Sequence, residues 1–425
     1  MKLSIKEILE SSRGEIIAEG NLSGKFSIST DTRTITENDI FLPLKGPNFD
    51  GHDYIKNAIS KGCKGYLSAD DTLLAYLRIA NYARRKINPH IVAITGSSGK
   101  TTTKEYISSV LSTSFITHKS ALNHNNEIGL CQTLLSMPES CEYVVIEMGM
   151  RGPGEIELLS KYAEPDIAII TNVGTAHIGR LGSVKNIAKA KCEITSHLKK
   201  DGVLIAFEDD LIKNHCDFPG RKVFYGKEYK IISQQENLTE FEYKGEYYEI
   251  PASGIFNVYN AIAAIETGIL AGISYEKIRE GLLNYAPVGE RGKVIDLGNN
   301  IKIVADCYNA NPESVKASID AVIETYENSG ITLVIGDMAE LGEYEEQMHR
   351  EIGRFISGKP IKSLITVGEK AKFIADAADK HIDKKSFLTN AEASEFLKNN
   401  LESNSVVLLK ASRCMKFEEI INSLT

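Results

Sequence analysis

The chain has 425 residues, 42% of them hydrophobic, and 49 Lys and Arg against 57 Asp and Glu leave a net charge of −8. That length exceeds what one hydrophobic core usually supports, and the acidic balance without any Lys/Arg-rich block excludes a general nucleic-acid binder. No apolar run approaches a membrane span, residues 1–8 are amphipathic rather than leader-like, and the cysteines are scattered without C-x-x-C pairs, so a cytoplasmic protein with reduced thiols is expected.

Three blocks are expected, 1–86, 87–288 and 289–425, all of them α/β. The first holds short apolar runs at 40–42 and 65–67 and an amphipathic helix near 73–85, and it ends at the break Ile87-Asn88-Pro89-His90. In the second, apolar strands predicted at 92–95, 143–147, 167–172 and 203–206 alternate with helical segments, the pattern of a mostly parallel sheet covered by helices. Residues 222–250 are rich in Tyr, Phe and Ile between turn residues and read as an added antiparallel patch. A second break falls near 284–289. Beyond it, strands predicted at 301–305, 332–335, 363–367 and 405–409 give a Rossmann-like α/β domain without a phosphate loop of its own.

The segment Val92-Ala93-Ile94-Thr95-Gly96-Ser97-Ser98-Gly99-Lys100-Thr101-Thr102-Thr103 runs from a strand through a glycine turn into a helix. Gly96 and Gly99 let backbone amides curl around an anion, Lys100 adds positive charge, and Thr101 offers the hydroxyl that Mg²⁺ favours. Ile94 stands where the commoner pattern has its first glycine, yet strand, turn, lysine and hydroxyl in register point to a nucleotide site. Glu147 follows one predicted strand and His177 another, which brings both to the carboxyl edge where parallel sheets bind ligands. Residues 123–129, with Asn125 and Asn126, form a polar loop before a helix and fit either an N-cap or a substrate contact. Asp337, Glu340 and His349 follow a further strand and either form a solvated cluster or face the cleft.

With its Thr-Gly-x-x-Gly-Lys-Thr-Thr loop the chain resembles the ATP-dependent Mur ligases of peptidoglycan synthesis, and the likeness covers nearly its whole length. Two segments, Asp306-Cys307-Tyr308-Asn309-Ala310-Asn311-Pro312 and Gly336-Asp337-Met338-Ala339-Glu340-Leu341-Gly342-Glu343, resemble the signatures of those members that add D-alanyl-D-alanine. Asp31-Thr32-Arg33, Lys45-Gly46, 50–53, 257–261 and 410–415 agree with the same family. Phe256, Cys131 and Glu290 depart from its pattern, the last at the hinge beside Arg291.

The resemblance implies ATP and Mg²⁺ as cofactors, with UDP-N-acetylmuramoyl-tripeptide and D-alanyl-D-alanine as substrates of a monomeric enzyme. Gly96, Ser97, Ser98, Gly99, Lys100, Thr101 and Thr102 would hold the phosphates. Thr101 and Glu147 would bind one Mg²⁺, and His177 with a carbamylated Lys191 a second. Asn257 and Asn260 would read adenine, and Arg291 and Asp306 would reach the nucleotide from the third domain. Asp31, Thr32, Arg33, Lys45, Asp50 and His52 resemble the donor pocket, while Asn125, Asn126, Asn309, Lys410, Ser412 and Arg413 would contact substrates. Closure would bend the chain near Pro89 and at 287–292. The alternatives are a sister ligase adding the third-position diamino acid, a folylpolyglutamate synthase-like ligase, or a nucleotide-switched binding protein.

Overall fold

The computed structural model describes residues 1–425 apart from 19–21, 47, 122 and 328. The central sheet is parallel throughout, in the order Arg221–Tyr225, Val203–Phe207, Ile167–Ile170, His90–Thr95, Tyr143–Glu147, Thr117–Lys119. Ile91, Val92, Ala93 and Ile94 are wholly buried, as expected of a strand covered by helices on both faces. Strand His90–Thr95 therefore lies between the strands ending at Glu147 and at Ile170, and the loops after all three open on one edge.

The expected antiparallel patch needs correction at its start. Arg221–Tyr225 pairs in parallel with Val203–Phe207, and only Tyr229–Gln235, Leu238–Tyr243 and Glu246–Ile250 form a separate antiparallel sheet. The C-terminal sheet runs Lys293–Asp296, Ile301–Ala305, Ser405–Lys410, Gly330–Gly336, Ser363–Val367, Asp383–Phe387, parallel except for its first strand. In these two larger sheets the strands absent from the sequence reading, Thr117–Lys119, Lys293–Asp296 and Asp383–Phe387, are edge strands. Their charged and polar residues suit an edge and carry no apolar run to announce them. The N-terminal sheet is mixed, with Leu3–Ser4, Lys25–Ser29, Asp39–Phe41, Gly65–Ser68 and Glu15–Ala18 in that order.

The expected bend near Pro89 falls at a closely packed joint. Helix Thr72–Ile87 packs directly on the central helices Glu127–Ser136 and Glu155–Ala163. On the same helix Arg84, 2% exposed, donates to the carbonyls of Ala163 and Glu164 at 3.0 Å each, and Asn81 donates to the Tyr162 carbonyl at 2.8 Å. A guanidinium buried against carbonyls at a helix C-terminus is costly to separate. The junction with the C-terminal unit includes polar loop contacts, Gly179 N to Glu340 O, Tyr344 Oη to Gly182 O, and Asn311 Nδ2 to Ser97 O, beside a buried cluster that holds Ile178 and Leu181 with Met338 and Leu341.

Candidate active site

The glycines of the phosphate loop are required by close approach. A Cβ on Gly96 would lie 1.8 Å from Thr171 Oγ1, and Gly99 has φ +77° with a Cβ position 2.6 Å from Asn260 Oδ1. The helix Lys100–Ser112 starts immediately afterwards, so its first-turn amides have no intrahelical acceptor and present an anion site. Lys100 Nζ donates to the Gly96 carbonyl at 2.8 Å, which folds the ammonium back over the loop. Burial lowers its pKa, against the opposing pull of Glu147.

Ser97 and Ser98 are placed differently from the sequence reading. Their amides both donate to Asn172 Oδ1, at 3.1 and 3.0 Å, and Asn172 Nδ2 returns a bond to the Ser98 carbonyl. Asn172 thus pins this half of the loop to the neighbouring strand end, leaving the anion-facing amides to the helix start.

Glu147 is 3% exposed and meets the loop at Thr101, whose hydroxyl donates to Oε2 at 2.7 Å; Asn125 Nδ2 donates to Oε1 at 3.1 Å. A buried carboxylate with a hydroxyl and an amide around it is a hard-oxygen donor set beside the phosphate site. Asn126 does not join it. Its Oδ1 accepts from Gly129 N at 2.9 Å and caps the helix Glu127–Ser136, the simpler of the two readings.

His177 sits at the same sheet edge in a left-handed conformation, φ +66°, with Nδ1 2.6 Å from Glu340 Oε2 of the C-terminal unit. The adjacent His177 imidazole holds the Glu340 carboxyl below its usual range. Lys191 closes helix Val184–Cys192 and is 1% exposed, which overturns the solvated-lysine reading. Among the described residues its ammonium has no hydrogen-bond or ion-pair partner, and burial, with the nearby Lys100 charge, pushes its pKa well down.

A cavity of about 520 Å³ opens from the loop between the central and C-terminal units, a size typical of small-molecule sites. Lys100, Thr101, Glu147 and Asn125 line one end; Asn257, Phe207 and Phe256 line the central unit's wall, and Arg291, Asp306, Tyr308, Asn309 and Lys410 the other. Arg291 lies over the Tyr308 ring at 3.8 Å, so the extra Glu290 still leaves this arginine facing the cavity. Lys410 Nζ donates to Asp306 Oδ2 at 2.7 Å across adjacent parallel strands. Asn260 also lines the cavity, its Oδ1 accepting from Thr103 Oγ1 at 3.0 Å, while Asn257 Nδ2 donates to the Ser253 carbonyl at 2.8 Å, so each asparagine keeps one amide atom for a ligand.

Several expected site residues serve the framework. Ser412, 2% exposed, accepts from Ala339 N and donates to the Ala310 carbonyl. Asp337 accepts from the amides of Lys370 and Ala371, and the buried His349 accepts from Met338 N. Asp337 and His349 therefore form no solvated cluster with Glu340; both are spent on backbone groups. Arg413 is exposed and pairs with Glu418 at 3.1 Å. In the N-terminal unit Arg33 grips Asp31 through Nε and Nη2, Lys61 donates to the Thr32 carbonyl, and Asp50 joins Lys45 to His52. These exposed groups do not line the 520 Å³ cavity and form a separate polar patch.

Three family models match in chain order: "Mur ligase family, catalytic domain" over 27–98, "Mur ligase middle domain" over 94–268, and "Mur ligase, glutamate ligase domain" over 290–413. The chain is 39% identical to the UDP-N-acetylmuramoyl-tripeptide--D-alanyl-D-alanine ligase of Bacillus subtilis, over 100% of this chain and 98% of that protein. The chain belongs to the Mur ligase family. The crystal structure of MurF from Acinetobacter baumannii superposes on it with a TM-score of 0.92 at 28% identity, covering 100% of this chain and 99% of that one. MurF from Thermotoga maritima, solved in complex with ADP, gives 0.85 at 25% identity, with 94% and 97% covered.

Sequence reasoning about this Mur ligase overlooked Asn172, Asn311, Glu313 and the cavity aromatics Phe207 and Tyr308. Asn172 stood in plain view after a predicted strand, but nothing local says that an asparagine there will hold a loop 74 residues away.

Proposed function

We propose that this ligase forms the peptide bond between UDP-N-acetylmuramoyl-tripeptide and D-alanyl-D-alanine at the expense of ATP, through an acyl phosphate, as a cytoplasmic monomer. The observation that carries the reading is the single cavity shared by Lys100, Thr101 and Glu147 on one side and Asp306, Asn309 and Lys410 on the other. Full-length relatives with this activity in their names support it. The Gly336–Glu343 and Asp306–Pro312 signatures weigh against both the sister-ligase and folylpolyglutamate alternatives. Among the described residues no helix is long and apolar enough to cross a membrane.

A carboxylate is a poor electrophile at neutral pH, so its oxygen must first take the γ-phosphoryl group. The dipeptide amine then attacks the acyl carbon, and phosphate leaves as the tetrahedral species collapses. In such transfers the protein supplies position and charge rather than a nucleophile. Lys100 and the first amides of its helix face the phosphates and offset charge there. Thr101 and Glu147 fit a Mg²⁺ ion, because that ion takes one or two protein oxygens and completes its shell with phosphate oxygens and water. When bound, the ion would neutralise phosphate charge. Asn257 would meet the base, Arg291 and Asp306 the rest of the nucleotide, and Lys410 and Asn309 the substrates. The N-terminal unit, 1–86, would hold the donor through Arg33, Lys45 and their neighbours; 87–288 would bind ATP, and 289–425 the acceptor.

Lys191 fits a carbamate. Its depressed pKa keeps the neutral amine that CO₂ requires accessible, and the product is an anion with oxygen ligands in place of an unpartnered buried ammonium. His177, with Nδ1 held at Glu340, would have Nε2 left for the second ion.

A phosphate-release assay with each component omitted in turn tests the function. Release should require both donor and dipeptide, and the product mass should equal their sum less one water. Release with ATP alone at the full rate would overturn the reading.

A further inference from the structure

Between the central and C-terminal units, the start of helix Pro312–Thr325 meets the phosphate loop through two side chains. Asn311 caps this helix with Oδ1, 2.8 Å from Ser314 N, and turns Nδ2 to the Ser97 carbonyl at 3.3 Å. Glu313 reaches across the boundary instead of staying on its own helix. Its carboxylate accepts from Thr175 N and from Thr175 Oγ1, each at 3.0 Å. It lies so close over Gly174 that a Cβ there would be 2.8 Å from Glu313 Cδ. Gly174 N in turn donates to Ser97 Oγ at 2.8 Å. The two side chains thus reach one loop residue by separate routes, and Ser97 and Asn311 are each 7% exposed.

Resting on the ligase reading above, we propose that Glu313 is a positioning residue that makes the working shape of the phosphate loop conditional on docking of the C-terminal unit. An acyl phosphate formed before the acceptor side is in place would be open to water, and a contact that orders the loop only on docking opposes that loss. Thr175 is the receiving group. Its N–H and O–H form a two-point grip that only a carboxylate or carboxamide of the right reach can fill, and charge strengthens both bonds.

The test uses Glu313→Ala, Glu313→Asp, Glu313→Gln, Thr175→Val and the double variant Glu313→Ala/Thr175→Val in the full chain, with melting temperatures recorded for each. Glu313→Ala is expected to lower kcat at least tenfold with the donor KM within twofold of the parent. Glu313→Asp, a methylene shorter, should behave like the alanine variant, and Glu313→Gln should stay within about threefold of the parent because it keeps an acceptor oxygen. The double variant should be no slower than the slower single variant. Parent-like kcat in Glu313→Ala, or losses that multiply in the double variant, would overturn the proposal. If Glu313→Ala does not fold, Thr175→Val carries the test, with at least a threefold fall in kcat expected and parent-like kcat overturning it. Failure of the parent to join donor and dipeptide would strike at the function itself, a result separate from any difference among the variants.

Discussion

Thr101 Oγ1 donates to Glu147 Oε2 at 2.7 Å, so the first turn of the loop helix and the end of the adjacent strand are joined by a buried bond between two oxygen ligands. In this structure each group partly satisfies the other, and at the proposed Mg²⁺ site both would supply oxygens to the ion. Glu147→Ala should lower kcat at least about a hundredfold and raise the Mg²⁺ concentration for half-maximal rate, whereas Glu147→Asp retains more. A titration of rate against Mg²⁺ after chelation checks this, and an unchanged midpoint in both variants would refute the assignment.

Lys100 is held over the loop by the Gly96 carbonyl rather than by a carboxylate, so its charge stays available to phosphate. Lys100→Ala is expected to reduce ligation by roughly a thousandfold or more while leaving the melting temperature near that of the parent. Single-turnover kinetics on the folded variant are the measurement.

Lys191 gives two readouts. Lys191→Ala should lose at least about a hundredfold in rate and recover part of it with added acetate, which supplies the missing oxygens; Lys191→Arg should stay inactive. Stability in CO₂-free buffer provides the second. Because burial lowers the folded-state pKa, the unfolded chain binds the extra proton between that value and the ordinary lysine value, so stability rises with pH across this window. Below the folded pKa both states are protonated and the slope vanishes. Lys191→Met should flatten the rise, and denaturant unfolding at a series of pH values would reveal it.

Arg84→Ala removes two bonds to buried carbonyls and leaves Glu164 and Asp166 without that cation. A loss of about 3 kcal/mol is expected, the scale for breaking buried charge-assisted bonds. Chemical denaturation should show it as a lower midpoint, and kcat for the folded fraction should hold within about twofold, a fold-change of under 1 kcal/mol.

How much of this was legible depends on where the partner lies in sequence. The loop and Glu147 could be read because strand, turn and following helix are contiguous, and an apolar run announces where each strand ends. Asn126 was readable only as a choice between cap and contact, since both use the same oxygen. Arg84, Glu313 and Asn172 were opaque for another reason: each acts on backbone groups 74 or more residues away, and backbone groups carry no residue identity to pair with. Lys191 is the converse case. Its helix reads as ordinary, and only the fold reveals an ammonium with nothing to hold.

The Arg84 joint sets how the N-terminal unit sits on the central one. Helix Thr72–Ile87 packs on two central helices, and Arg84 bonds across that boundary. A donor held by the N-terminal unit would lie at a distance from the phosphate loop set by this packing. Its reach toward ATP would then be a matter of its own length, fixed by how many residues its peptide carries.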